Sequence, residues 1–227
     1  CNGVSIENVT VIDIGTTLVP AAGGWGGSTG TRNFAYDNRG NVKTLGGLSF
    51  VYDYSGQPTS VSGNAAGTYL YDGNRKRVKS HVNGKTIYNV FSAKGNLVYT
   101  YEPTGDKKTD YIYIGGNVIA TRNRSGTPTY VHTDYLGSPI AQSNSAGTIT
   151  SREVYSPFGM TSVNNAAMAD RAGYTGHIKD NATGLNYMQA RYYDPVSARF
   201  LSVDPVKFEN TGETGMFNRY AYALNNP

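Results

Sequence analysis

This sequence has little with which to crosslink itself, hold a metal or cross a membrane. Its one cysteine, Cys1, admits no internal disulfide. Its three histidines, His81, His132 and His177, stand far apart with no thiol partner, so the spacing builds no zinc-type site. His132-Thr133-Asp134 therefore reads as a hydrogen-bonded structural histidine. No run of eighteen apolar residues occurs, so no membrane-spanning helix is expected, and no signal peptide is visible. Charged residues make up only 16% of the chain, and no long like-charge run argues for a disordered tail. The net charge is +4, and Arg75, Lys76, Arg77 and Lys79 read as a solvated strand face rather than a nucleic-acid stripe. No Gly-x-Ser-x-Gly elbow accompanies the many serines, which argues against a Ser-His-Asp hydrolase.

What the chain does have is glycine, 28 residues, and tyrosine, 19 residues, against a low hydrophobic content of 38%. Tyrosine joins apolar area to a polar tip and suits a sheet with one wet face. Glycine at short intervals marks tight turns. From Phe34 onward these residues repeat. Tyr36-Asp37-Asn38-Arg39-Gly40-Asn41 is followed by Tyr52-Asp53-Tyr54-Ser55-Gly56-Gln57, then by Tyr71-Asp72-Gly73-Asn74, with Phe91-Ser92-Ala93-Lys94-Gly95-Asn96 as a degraded copy. Steps of about sixteen to twenty residues fit a repeated two-strand unit. Tyrosine ends a strand, aspartate starts an Asx-type turn, and Gly40 or Gly56 supplies the positive φ that closes it. The unit at Tyr71 lacks glycine at that offset, so its turn is expected to differ.

Either side of the repeats the pattern changes. Residues 1–33 hold a β-branched run through Val4, Ile6, Val9, Val11, Ile12 and Ile14, then a glycine-rich connector with Trp25 as a candidate anchor. Downstream, 111–114 and 118–121 alternate around Gly115-Gly116-Asn117, 129–132 is expected to pair with 140–143, and 144–147 turns into 149–155. Only 165–171 has helical composition, with a further helical turn allowed near 217–224. The expected fold is all-β antiparallel sheet, divided as 1–33, repeats over 34–130, and a C-terminal region over 131–227.

That last region centres on Gly184-Leu185-Asn186-Tyr187-Met188-Gln189-Ala190-Arg191-Tyr192-Tyr193-Asp194-Pro195 and Arg199-Phe200-Leu201-Ser202-Val203-Asp204-Pro205. A strand over 185–190 is broken by Asp194-Pro195, because proline lacks the ladder donor, and a second short strand over 199–203 ends at Asp204-Pro205. Upstream lie His132-Thr133-Asp134-Tyr135-Leu136-Gly137-Ser138-Pro139, Tyr155-Ser156-Pro157-Phe158-Gly159 and Tyr174-Thr175-Gly176-His177. Downstream lie Asn218-Arg219-Tyr220-Ala221-Tyr222 and Asn225-Asn226-Pro227. Together these resemble the repeat-associated core of Rhs and YD-repeat polymorphic toxins and of the insecticidal toxin-complex C subunits, with the teneurin shell a more distant relative.

The resemblance implies that the sheet curls as part of a hollow shell, closed from about residue 160 onward by a plug. It implies a C-terminal toxic polypeptide enclosed in that shell, secretion or delivery from a bacterium to a target cell, and secretion-system or immunity proteins as partners. From the residues themselves, no cofactor and no nucleic-acid partner are expected. In such relatives the shell ends in an aspartic-type self-cleaving segment, and Asp204 matches its upstream aspartate. The second carboxylate usually follows the Asn-Asn-Pro in an Asp-Pro-x-Gly-Leu block, and this sequence stops at Pro227. Two departures from the family pattern stand out: Ser197-Ala198-Arg199 replaces a glycine before arginine, and Lys207 replaces another glycine. The residues themselves leave a simpler role open, with Asp194 and Asp204 as turn formers that lock a structural motif of Arg191, Tyr192, Tyr193, Asp194, Pro195, Arg199, Asn225, Asn226 and Pro227. In either case at least one of Arg191 and Arg199 should be largely buried against Asp194, Asp204 or backbone carbonyls, since an unpaired buried charge is strongly unfavourable. A surface adhesion or carbohydrate-binding module would use the same tyrosines.

Overall fold

The computed structural model describes residues 9–11, 32–161, 171–205 and 218–227. Most of the expected N-terminal run, the Trp25 anchor, the helical stretch at 165–170, and Lys207 lie outside the described residues. Strands are numbered in chain order. The first fourteen, from β1 (Val9–Val11) and β2 (Arg32–Tyr36) to β14 (Ile149–Arg152), form one antiparallel sheet in which every strand pairs with its sequence neighbours. The sheet is a pure meander, and from β2 onward each connection is a hairpin. A second, four-stranded sheet follows: β15 (Ile178–Lys179), β16 (Asn186–Met188), β17 (Arg191–Asp194) and β18 (Arg199–Phe200).

The repeat explains the first sheet. Asp37 Oδ1 accepts the backbone N–H of Arg39 and of Asn41, both at 2.8 Å, and the Gly40 N–H returns to the Asp37 carbonyl at 3.0 Å. The same closure recurs from Asp53, Asp72, Asp134 and Asn144, while Ser92 and Ser156 use a hydroxyl to hold the residue four positions on. Gly40 sits at φ 83° and Gly56 at φ 80°, the left-handed region that an L side chain avoids. The turn at Asp72 does not differ as expected. Arg75 takes the glycine's place at φ 62° and makes the same 3.0 Å bond to Asp72 O. The Asx hydrogen bonds to Asn74 and Lys76 hold that turn closed despite the side chain.

Beside these turns the pairing slips by one residue, as between Ala35/Tyr36, Val51/Tyr52, Leu70/Tyr71 and Val90/Phe91. Such a bulge breaks the two-residue period of the returning strand. Val42 and Leu45 then face the core together, as do Leu97 and Thr100. The motif aromatics Tyr36, Tyr52, Tyr71 and Phe91 pack against that core, which also takes in Ile178, Leu185, Tyr187, Tyr192 and Leu201 from the C-terminal region. The two sheets therefore share one apolar core. In the second sheet, the tract expected as a strand over 185–190 turns at Gln189, φ 58°, and Arg191–Asp194 is a separate strand. The allowed helical turn near 217–224 is, among the described residues, a 3₁₀ turn at Ala223–Asn225.

Candidate functional site at the seam between turn rim and plug

Because the meander alternates direction at each strand, the YD-type turns that follow β2, β6 (Gly67–Tyr71) and their equivalents collect along one rim. The C-terminal plug lies along that rim and bonds to it turn by turn. Tyr220 Oη donates to Gly40 O at 2.6 Å, and Gln57 Nε2 donates to Gln189 O at 3.1 Å. Gln189 Nε2 donates to Gly95 O at 2.7 Å, and the Thr175 N–H donates to Ser138 Oγ at 3.0 Å. Gly40 is needed twice over: a Cβ there would also lie 2.7 Å from Val203 Cγ2 of the plug.

The seam is pinned by an ion pair whose arginine the sequence reading placed in solvent. Arg77 opens β7 (Arg77–Val82), and the bulge between Leu70 and Tyr71 turns it inward. It is 1% exposed. Its Nη1 donates to Asp180 Oδ2 at 2.6 Å and to Tyr192 Oη at 2.9 Å, across 103 and 115 residues of chain. The guanidinium also lies 4.6 Å from the Tyr187 ring centroid and 5.5 Å and 5.7 Å from those of Tyr69 and Tyr192, a tyrosine cage suited to a delocalised cation. Burial works against the charge, but Asp180 and then Tyr192 outweigh it and push the arginine pKa up. Tyr187, buried beside it, is pushed up to about 12 by desolvation, with Arg77 opposing.

Next to Asp180, Lys179 serves the other side of the plug strand. Its Nζ lies 3.7 Å from Glu153 Oε1, and Glu153, 3% exposed, also accepts from Tyr155 Oη at 3.0 Å. Burial raises the Glu153 pKa, with Lys179 and Tyr155 opposing. Lys179 ends β15 and Asp180 follows it, and the two side chains reach charges of opposite sign, Glu153 and Arg77.

The residues singled out from the sequence fall in the same plug. Arg191 Nη2 pairs with Asp204 Oδ2 at 2.7 Å, with side chains 14% and 24% exposed. Its guanidinium sits 3.7 Å from the Phe200 centroid, and its Nη1 donates to Arg219 O at 3.3 Å. Burial lowers the Arg191 pKa, and Asp204 opposes that shift. Asp204 is fixed at its backbone too: its N–H donates to Arg219 O at 3.0 Å, and Arg219 Nη2 returns to Asp204 O. Asp194 has a different place. It is 2% exposed and accepts from Ser197 Oγ at 2.7 Å and from the N–H groups of Val196 and Ser197, capping its own turn above buried Pro195. That turn carries Ala198 at φ 56°. Tyr192 faces the shared core. Tyr193, on the opposite face of β17, packs with Tyr174, Phe200 and Tyr222 and donates to Phe158 O at 2.9 Å. Arg199 is half-buried in β18 and bridges backbone to backbone with Ala221. Asn225, Asn226 and Pro227 are exposed. His132 bonds Ser143 Oγ at 2.9 Å, and among the described residues no cluster of His, Cys, Asp and Glu could hold a metal.

A family model, the teneurin YD-shell, matches residues 26–227. The chain belongs to the Rhs/YD-repeat family. Among YD-shell relatives, the tRNA3(Ser)-specific nuclease WapA of Bacillus spizizenii is 30% identical over 204 residues, covering 86% of this chain and 9% of that protein. The double-stranded DNA deaminase toxin A of Burkholderia cenocepacia strain H111 is 26% identical over 223 residues, covering 88% of this chain and 15% of that protein. The crystal structure of TcdB2-TccC3 superposes with a TM-score of 0.63 at 21% identity, over 85% of this chain and 10% of that one, which shows the shared fold. The chain thus spans 9% to 15% of the length of these relatives. Within this YD-shell segment no described helix is long and apolar enough to cross a membrane.

Proposed function

We propose that this segment closes a YD-repeat shell around a polypeptide carried on the same chain, residues 34–130 supplying repeats and 131–227 the closing region. Two relatives bear the names of a nuclease and a deaminase toxin, which supports a toxic passenger and a protein secreted or delivered from a bacterium. Secretion-system and immunity proteins are then its natural partners. The observation that carries the reading is the plug itself. It is keyed to the turn rim by the buried Arg77–Asp180 pair, and the same plug presents Asp204, held by Arg191 and bonded at its backbone to Arg219.

Asp204 is proposed as one carboxylate of an aspartic-type self-cleavage site. Such a site needs two carboxylates sharing one proton, one activating water while the shared proton polarises the scissile carbonyl. The second would come from polypeptide following Pro227. Arg191 acts as a positioning residue that holds the Asp204 carboxylate through their 2.7 Å ion pair. The test is intact mass spectrometry of a chain carrying its natural continuation. Cleavage is expected, is abolished in Asp204→Asn, and is slowed in Arg191→Met. Undiminished cleavage in Asp204→Asn would remove Asp204 from the chemistry. Enclosure is tested separately by limited proteolysis: the passenger should resist protease in the wild-type chain and yield in Asp180→Leu.

One observation favours a second reading. Tyr54 and Tyr135, each following a turn aspartate, are 99% and 100% exposed on the rim, as carbohydrate-stacking side chains would be. Glycan-array binding that is lost on Tyr54→Ala and Tyr135→Ala would support an adhesion module.

A further inference from the structure

Between the plug and the second and third YD turns lies a groove of about 410 Å³, lined by Gln57, Arg75, Lys76, His177, Gln189 and Arg191 among others. Its size is within the ordinary range for ligand sites. Two features distinguish it from a packing defect. The first is a buried acceptor with nothing to accept. Gln57 is 1% exposed, and its Nε2 donates to Arg75 O at 3.0 Å and to Gln189 O at 3.1 Å. Those two carbonyls fix which end of the amide is nitrogen. The Oε1 is then left buried, with no hydrogen-bond partner among the described residues. A buried acceptor without a donor is unfavourable, so it marks a place where a donor belongs.

The second feature is charge. Arg75, Lys76 and Arg191 line the groove, and among the described residues no aspartate or glutamate does. Arg191 is committed to Asp204, and Lys76 Nζ contacts Gln189 Oε1, an acceptor that a carboxylate would outbid. The field is felt by His177, whose pKa falls to about 4 through burial and then through Lys76. A neutral His177 adds a further polar group without adding a competing charge.

We propose that this groove binds an extended acidic peptide. A backbone N–H of the peptide donates to Gln57 Oε1, and its carboxylate side chains pair with Lys76 and Arg75. A free anion would leave Gln57 unsatisfied, and a basic peptide would meet like charge. The binding does not depend on the self-cleavage reading, because no bond is made or broken.

The probe is a fluorescent hexapeptide alternating glutamate and alanine, titrated by anisotropy against the whole chain. It should bind, and its lysine–alanine counterpart should not. N-methylating its central amides should weaken binding about tenfold, which corresponds to about 1.4 kcal/mol. Lys76→Glu should weaken binding by at least as much. Lys94→Glu makes the same charge change at an exposed rim position outside the groove and should leave binding unchanged. Three results would overturn the proposal: equal binding of the two peptides, insensitivity to N-methylation, or an equal loss in Lys94→Glu, which would indicate diffuse surface attraction.

Discussion

The fourteen-stranded meander and the four-stranded plug are both antiparallel sheet, yet they are specified in opposite ways. In the meander each YD-type turn is closed by its own aspartate, asparagine or serine, and strands keep a wet face, as the pattern of β7 shows with Arg77, Ser80 and Val82 buried and His81 exposed. In the plug, β16 buries all three of its residues and β17 buries three of four. Its side chains find their partners about a hundred positions away, as Asp180, Tyr187 and Tyr192 do at Arg77. The meander is encoded locally and repeats. The plug is encoded by what it covers, and its short strands would not stand alone.

That contrast breaks first at Arg77. In the neighbouring repeats, the position that a bulge turns inward holds Val42, Pro58 or Leu97. Only here is it a guanidinium matched to a plug carboxylate. Removing one member of a buried ion pair leaves the other charge in a poor environment, so Arg77→Met or Asp180→Leu should each cost about 3–5 kcal/mol in denaturant unfolding. A loss below 1 kcal/mol in both would mean the seam carries little.

The next largest effect separates two otherwise equal turns. Gly40→Val and Gly56→Val both force a β-branched residue into positive φ, at about 1–3 kcal/mol each. Gly40→Val also drives Cβ into Val203 of the plug, whereas the nearest plug atom to Gly56 would be Ser202 Cβ at 3.8 Å. Gly40→Val should therefore be the more damaging of the two by thermal melting. Equal losses would show that the plug does not rest on the first turn. Arg75→Gly runs the other way. It relieves the φ 62° strain without touching the backbone carbonyl bonded to Gln57, and should stabilise by up to about 1 kcal/mol.

A smaller effect appears in pH dependence. His177 is depressed in the folded chain to about 4 from 6.5, by burial and then Lys76. The unfolded chain therefore binds the proton more readily. The stability this provides is complete above pH 6.5 and is lost as pH falls through about 4. His177→Asn should flatten the stability curve across that window. An unchanged slope would separate His177 from the groove's field.

Much of this was legible in the sequence, and the failures are instructive. The Tyr-Asp-x-x-Gly spacing located the hairpins and the positive-φ glycines because turn chemistry acts over five residues. It failed at Asp72, where two Asx hydrogen bonds hold Arg75 in a conformation its side chain disfavours. Arg77 was assigned to solvent together with Arg75, Lys76 and Lys79, read as one charged strand face. The bulge at Tyr71 turns Arg77 inward, and bulges leave no mark in a two-residue period. A signal was present: aligning the repeats puts Arg77 in a column of apolar residues, where a lone cation asks for a partner. Asp180 could not be assigned, because its partner is set by how the plug docks. The Arg191–Asp204 contact was anticipated from the cost of burying an unpaired charge, with no knowledge of which acid would answer.

The central claim is that plug and turn rim form one cooperative unit held through Arg77. Native-state hydrogen exchange on Arg77→Met tests it most directly. The account predicts that amides in residues 186–194 of the plug lose protection together with those of β7, and by the same free energy. If only the strands around Arg77 exchanged faster while residues 186–194 kept their protection, the plug would be a separate unit, and the claim would fail.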